Sequence, residues 1–119
     1  MQVFLRAVLV IFLPIRSALA LQCFLGGPPY QLSSDTVEWS MTIASGQSCI
    51  RGLRTPFVVL DEIKLVSAPQ WGQVTLEGPA FVYKGNSNFQ GEDSFSVLVS
   101  GKVNRLVGSS TIRVRVSVR

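Results

Sequence analysis

The chain contains no histidine. This removes the commonest general base and the commonest transition-metal ligand. Neither a Ser-His-Asp nor a Cys-His nucleophile arrangement can be assembled from it. Cysteine is scarce as well. There are two, Cys23 and Cys49, and they lack the Cys-x-x-Cys spacing of a redox pair. A zinc site would have to draw on these two thiols and on carboxylates alone. The seven acids, Asp35, Glu38, Asp61, Glu62, Glu77, Glu92 and Asp93, are scattered, with no Asp-x-Asp repeat. A carboxylate-only mechanism needs two acids facing across a cleft. Neither Glu77 with Glu92 nor Asp61 with Glu62 is nominated for that by spacing. The composition reads as a non-enzyme without cofactor or metal.

Long apolar runs are also missing. The N-terminal run "AVLVIFLPI" has nine residues and is interrupted by Pro14, whereas a membrane span needs roughly 20. It follows Arg6 and precedes "RSALA", which ends in the small-x-small pattern Ala18-Leu19-Ala20. This is the three-part order of a secretory signal peptide. Residues 1–20 are therefore expected to be removed, leaving Leu21 at the new N-terminus and no membrane span. An uncleaved N-terminal anchor is the alternative. Gln22 stands directly before Cys23, where an acylated cysteine would have a small residue, so lipidation is not expected.

Export, to the periplasm or outside the cell, places both cysteines in an oxidising compartment. Two cysteines allow one intramolecular pairing. A Cys23–Cys49 bridge would stabilise a fold of this size by roughly 3–4 kcal/mol in the chain-entropy model. Free buried thiols or pairing between chains are the alternatives. Arg6 and Arg16 leave with the signal, so the remaining domain carries nine basic and seven acidic residues. That balance is too mild to imply nucleic acid.

What is present has period two. Residues 21–36, "LQCFLGGPPYQLSSDT", hold Gly26, Gly27, Pro28 and Pro29 and read as an irregular lead-in. Residues 37–119 read as one domain. In "VEWSMTI", Val37, Trp39, Met41 and Ile43 share one face, the pattern of a half-buried strand. "FVVLDEIKLVSAP" is a strand region bent or split at Asp61-Glu62. "QVTLEG" and "AFVYKG" flank Gly78-Pro79 as a hairpin. "SFSVLVS" puts Phe95, Val97 and Val99 inward, "GKVNRLVGSS" reads as a turn or hairpin tip, and "TIRVRVSVR" puts Ile112, Val114, Val116 and Val118 inward. No helical period of useful length occurs after the signal. Six or seven short strands, spaced about 8–12 residues apart, predict an all-β antiparallel sandwich.

The stretch "NFQGEDSFSV" then raises a question. Glu92 and Asp93 sit directly before an alternating run, either as an acidic site or as the start of a strand. The segment "APQWGQVTLEGPAFVYKGNSNFQGEDSFSVLVSG", with "STIRVRVSV", resembles the immunoglobulin-like and cadherin-like repeats of bacterial surface and secreted proteins. The matching positions are Pro69, Gly72, Val74, Tyr83, Asn88, Phe89, Gly91, Asp93, Ser94, Phe95, Val114, Val116 and Val118. The match covers about residues 63–118. It implies an immunoglobulin-like sandwich with Phe89, Gly91, Asp93 and Phe95 as a structural corner; the relatives usually occur as repeats, and this chain is expected to be a solitary unit. Gly91 would supply positive φ. Asp93 would accept hydrogen bonds from the loop before its strand, as Asx turns do. Related extracellular repeats bind calcium where six to eight oxygens converge, but the scattered acids here supply no such linker.

Two features are candidates for binding. Arg51 and Arg54 in "CIRGLR", with outward Arg113 and Arg115, form a possible positive face for anionic glycans, lipopolysaccharide or an acidic protein. Charge that keeps a sheet edge soluble is the plainer reading. Trp71 in "APQWGQ" is either a platform for a sugar or partner or a cap over one end of the core. The functional expectation is an exported, monomeric, non-catalytic module that binds an unknown protein or glycan, or lends structural support, at the bacterial cell envelope or outside it. The alternative is a small secreted inhibitor or effector acting on a protein through a loop.

Overall fold

A computed structural model describes residues 23–119; the predicted signal peptide and the expected new N-terminus at Leu21 lie outside the described residues. Eight strands run through the described chain: β1 (Cys23–Gly26), β2 (Asp35–Ile43), β3 (Ser48–Gly52), β4 (Val59–Ser67), β5 (Gln73–Glu77), β6 (Ala80–Lys84), β7 (Gly91–Val103) and β8 (Leu106–Val118). They form a five-stranded sheet in the order β1-β2-β8-β7-β4 and a three-stranded sheet in the order β3-β6-β5. No helix occurs among the described residues.

The period-two pattern explains both sheets. In β7, Phe95, Val97 and Val99 are buried; in β8, so are Ile112, Val114, Val116 and Val118. These stripes meet Trp39, Met41 and Ile43 of β2, and Phe81 and Tyr83 of β6, in one core. The two sheets touch most directly at the aromatic rings. Phe95 meets Phe81 edge-on at 5.1 Å and stacks on Tyr83 at 5.8 Å. Such aromatic pairs add about 0.5–1.5 kcal/mol each beyond the area they bury.

Three expectations need correction. The lead-in is not wholly irregular. Residues 23–26 form β1, which pairs antiparallel with β2 from Cys23↔Ile43 to Gly26↔Ser40. Four residues are too few for a period to register in the sequence, and the glycines and prolines that follow hide the strand. Nor are the strands all short. Asn104 and Arg105 both take positive φ, 52° and 72°, and close a two-residue turn between Val103 and Leu106. Most of "GKVNRLVGSS" is therefore strand, and β7 and β8 reach 13 residues each. Positive φ at both central positions is the turn that matches strand twist.

The third correction concerns direction. β2 pairs parallel with β8, from Asp35↔Ser110 to Ile43↔Val118, so the larger sheet is mixed. An alternating pattern is identical for parallel and antiparallel partners, and the sequence carries no sign of it. The bend expected at Asp61-Glu62 is a register shift between Leu60 and Glu62, with a second between Leu65 and Ser67. Such bulges twist an edge strand away from foreign pairing.

Cys23 and Cys49 are joined, with 26 residues of separation, so β1 at the edge of one sheet is tied to β3 at the edge of the other. β1 has only one strand neighbour and four residues, so the bond is its main attachment to the small sheet. Cys49→Ser should lower stability by roughly 2–5 kcal/mol. Thiol titration of the denatured, unreduced protein should find no free thiol. Two titratable thiols per chain would show that the bridge does not form.

Candidate functional site

The acidic pair separates once the strands are in place. Asp93 is the third residue of β7 and points inward; it is 7% exposed. Its carboxylate is saturated with donors. Oδ1 accepts the backbone N–H of Gln70 at 2.8 Å and of Ser94 at 3.0 Å. Oδ2 accepts the N–H of Trp71 at 3.1 Å, the N–H of Gly72 at 2.9 Å and the hydroxyl of Tyr83 at 2.8 Å. The expected Asx-type bonding to the loop before β7 is therefore corrected. The carboxylate grips the loop between β4 and β5, more than 20 residues back in the chain. The reason is its direction: an inward side chain at the third position of the strand meets the β4–β5 loop closing over the sheet end.

Glu92 does the opposite. It is exposed and accepts only the Ser117 hydroxyl, at 2.9 Å. The pair is thus not a shared acidic site. Burial raises the cost of charge on Asp93, but the bonds from Gln70, Gly72, Tyr83 and Ser94 outweigh it and hold its carboxyl below the usual carboxylate range. Tyr83 is pushed well up, first by burial and then by its hydrogen bond to Asp93 and that residue's negative charge. Neither group is poised to exchange a proton near neutral pH. Among the described residues no cluster of three or more carboxylates or thiols is placed to hold a metal ion.

The grip on residues 70–72 presents Trp71. Its ring stacks on Phe89 with centroids 5.1 Å apart and planes 10° apart, and it remains 47% exposed. Phe89 belongs to the loop between β6 and β7. That loop is held by Phe89 N–H to the Asn86 carbonyl at 3.1 Å and by the Ser45 hydroxyl to the Phe89 carbonyl at 2.8 Å. Gly91, with φ 142°, turns the chain back beneath the Phe89 ring, which a Cβ would approach at 3.1 Å. Phe95, by contrast, lies in the core. Of the four corner residues, Phe89 and Gly91 support the rim, while Asp93 and Phe95 anchor it below.

Beside Trp71 lies a groove of about 410 Å³ lined by Gly46, Trp71, Gly72, Gln73, Lys84, Gly85, Asn86 and Ser87. A larger hollow of about 630 Å³ lies near Glu92 and Arg115. It sets an acid against a base and has no aromatic wall.

The four arginines do not form one face. Arg51 is drawn between the sheets, its guanidinium 4.9 Å above the Trp39 ring. The Trp39 indole N–H donates to the Pro28 carbonyl at 2.6 Å, so this stack also fastens the segment after β1. Arg113 stands on the outer face of the large sheet and pairs with Glu38 at 3.2 Å. Arg115 is exposed on the same face. Arg54 is exposed beside Asp61 and Glu62.

A second loop-holding carboxylate escaped sequence reasoning. Asp35 accepts the N–H of Gln31 and of Ser33, each at 3.0 Å, and the hydroxyl of Ser110. Ser110 in turn accepts the Leu32 N–H at 2.8 Å. Burial opposes charge on Asp35, and these bonds override it and lower its pKa. The Ser-Ser-Asp run signals a turn, but only the parallel β2–β8 register places Ser110 opposite Asp35.

No known family model matches the chain, and no curated protein matches it in sequence.

Asp93→Ala should lower stability by about 2–4 kcal/mol at neutral pH, since several charge-assisted bonds are lost and their donors stay partly buried. The folded-state pKa of Asp93 lies below the unfolded value of about 3.9. Its stabilisation is therefore complete above that value and is lost as pH falls through the folded one. The difference between wild type and Asp93→Ala should shrink on acidification, while Asp35 keeps some acid sensitivity in both. Denaturant melts across pH check this. An equal difference at neutral and strongly acid pH would contradict it.

Proposed function

We propose that the chain is an exported, non-catalytic, immunoglobulin-like binding module that presents its Trp71 end to a protein or glycan at the bacterial cell envelope or outside the cell. The observation that carries this reading is the double clamp on Trp71. Asp93 fixes the backbone of residues 70–72 from below, and Phe89 stacks on one face of the ring. A half-exposed aromatic held this firmly pays little ordering entropy when a partner arrives.

Strand neighbours support the immunoglobulin-like part. β3-β6-β5 and β4-β7-β8 have the neighbours of the B-E-D and C-F-G strands of an immunoglobulin sandwich. β1 and β2 then stand for the first strand, attached to β8 rather than β3. The disulfide departs from the antibody arrangement, which joins B to F; here it joins β1 to β3. The secretory pattern of residues 1–20 and the disulfide support export.

The same fixed loop supports a second reading, a small secreted inhibitor or effector that blocks a protein target, because a blocking loop also gains from being rigid in advance. Crosslinking and affinity capture from a producing culture test the binding role. Wild type and Arg113→Ala should retain a specific envelope component that Trp71→Ala loses. Capture that is indifferent to Trp71→Ala would refute a role for this end. Recovery from the culture supernatant, with inhibition of a target that Trp71→Ala abolishes, would favour the effector.

A further inference from the structure

The groove beside Trp71 has a chemistry of its own. Gln73, Lys84 and Ser48 are cross-strand partners in one row, Gln73↔Lys84 in the β5–β6 pair and Ser48↔Lys84 in the β3–β6 pair. Phe81 and Tyr83 of β6 point into the core, so by the alternation of a strand this row stands on the outer face of the small sheet. Trp71 is two residues before Gln73 and rises at the end of the row. The aromatic wall is thus continuous with a flat, polar floor. Three glycines line the groove, Gly46, Gly72 and Gly85, which lets a ligand come close to the backbone. At Gly72 a Cβ would collide with the buried Tyr83 ring, so glycine is required there by the packing beneath the groove.

Each of the polar side chains can donate a hydrogen bond. Asn86 uses its side-chain oxygen on the Asn88 N–H, at 3.0 Å, which leaves its NH₂ for a ligand. Gln73, Lys84 and Ser87 also line the groove, and no carboxylate does. A flat aromatic ring beside several hydrogen-bond donors suits a sugar ring, which offers an apolar C–H face to the indole and oxygens to the donors. Lys84 without a neighbouring acid selects for negative charge on that sugar.

Resting on the reading of the Trp71 end as a binding end, we propose that this groove is a carbohydrate site for an acidic saccharide, with a pyranose ring stacked on Trp71 and its carboxylate directed to Lys84. Gln73 and Asn86 hold the ring hydroxyls. The site is open and shallow, and it takes an internal or terminal segment of a chain rather than enclosing a monosaccharide.

Calorimetric titration of the disulfide-intact domain with tetragalacturonate tests this, with cellotetraose and tetra-aspartate as the neutral and non-sugar controls. Saturable binding of tetragalacturonate is expected, weakened about tenfold or more, or roughly 1.4 kcal/mol, by Lys84→Ala and by Asn86→Ala. Trp71→Ala should abolish it. Trp71→Phe, which keeps a ring on Phe89, should restore part of the affinity and guards against a folding defect. Cellotetraose should bind more weakly than tetragalacturonate, and raised salt should narrow that gap. No saturable binding of tetragalacturonate at millimolar concentration would overturn the site. So would equal binding of tetra-aspartate, which would mean charge without stacking. Equal binding of cellotetraose would overturn the assignment to an acidic sugar. If the sugar fails while Trp71-dependent capture of a protein succeeds, the ligand class falls and the binding end stands. If both fail, both readings fall.

Discussion

A single carboxylate organises the end of the molecule where β7 begins and β8 finishes, Gly91 pairing with Val118. Asp93 sits on β7, in the sheet that also holds β8 and β2, and it receives the Tyr83 hydroxyl from β6 in the other sheet. It also receives three successive amides of the β4–β5 loop. One ionised group thus links both sheets to the loop that covers their end. Without it, the part-buried N–H groups of residues 70–72 would lose their acceptor. The proposed binding role depends on the same bonds, because Trp71 is the middle residue of the gripped loop.

The opposite end repeats the device with different residues. Asp35 and Ser110 hold residues 31–33, where Leu32 takes φ 57° and Ser34 φ 64°. Gly108 leaves room for the Leu32 carbonyl, which a Cβ would strike. A strand sandwiched between two such ends gains specificity as well as stability. Each carboxylate is satisfied in one register only, and a slip by one residue would turn it to the other face. The cost is acid sensitivity at both ends, since each group stabilises the fold only while ionised.

Much of the fold was legible in the sequence, because alternation is a direct signature of a strand with one buried face. Trp39, Met41, Phe95, Val97 and the valines of β8 are all where period two puts them. The hairpin at Gly78-Pro79 and the irregularity at Asp61 follow from local chemistry too. Pairing partners were not legible. The parallel β2–β8 contact, the four residues of β1 and the full length of β7 and β8 depend on neighbours that alternation does not name. The candidate site divides the same way. That Asp93 matters is carried by its place beside Gly91 and Phe95, but that it grips Gln70, Trp71 and Gly72 is a tertiary fact. The arginines show the reverse error. They look alike in sequence, yet Arg51 is spent on Trp39 and Arg113 on Glu38.

The dependence of Trp71 on Asp93 is measured most directly by backbone amide exchange, residue by residue, in wild type and Asp93→Ala. In wild type at neutral pH, the amides of Gln70, Trp71 and Gly72 should be protected far beyond those of an open loop. In Asp93→Ala that protection should vanish while the central β8 amides, such as that of Val114, keep theirs. Exchange of the three amides at open-loop rates in the wild type, or protection unchanged by Asp93→Ala, would contradict the central role given to this carboxylate.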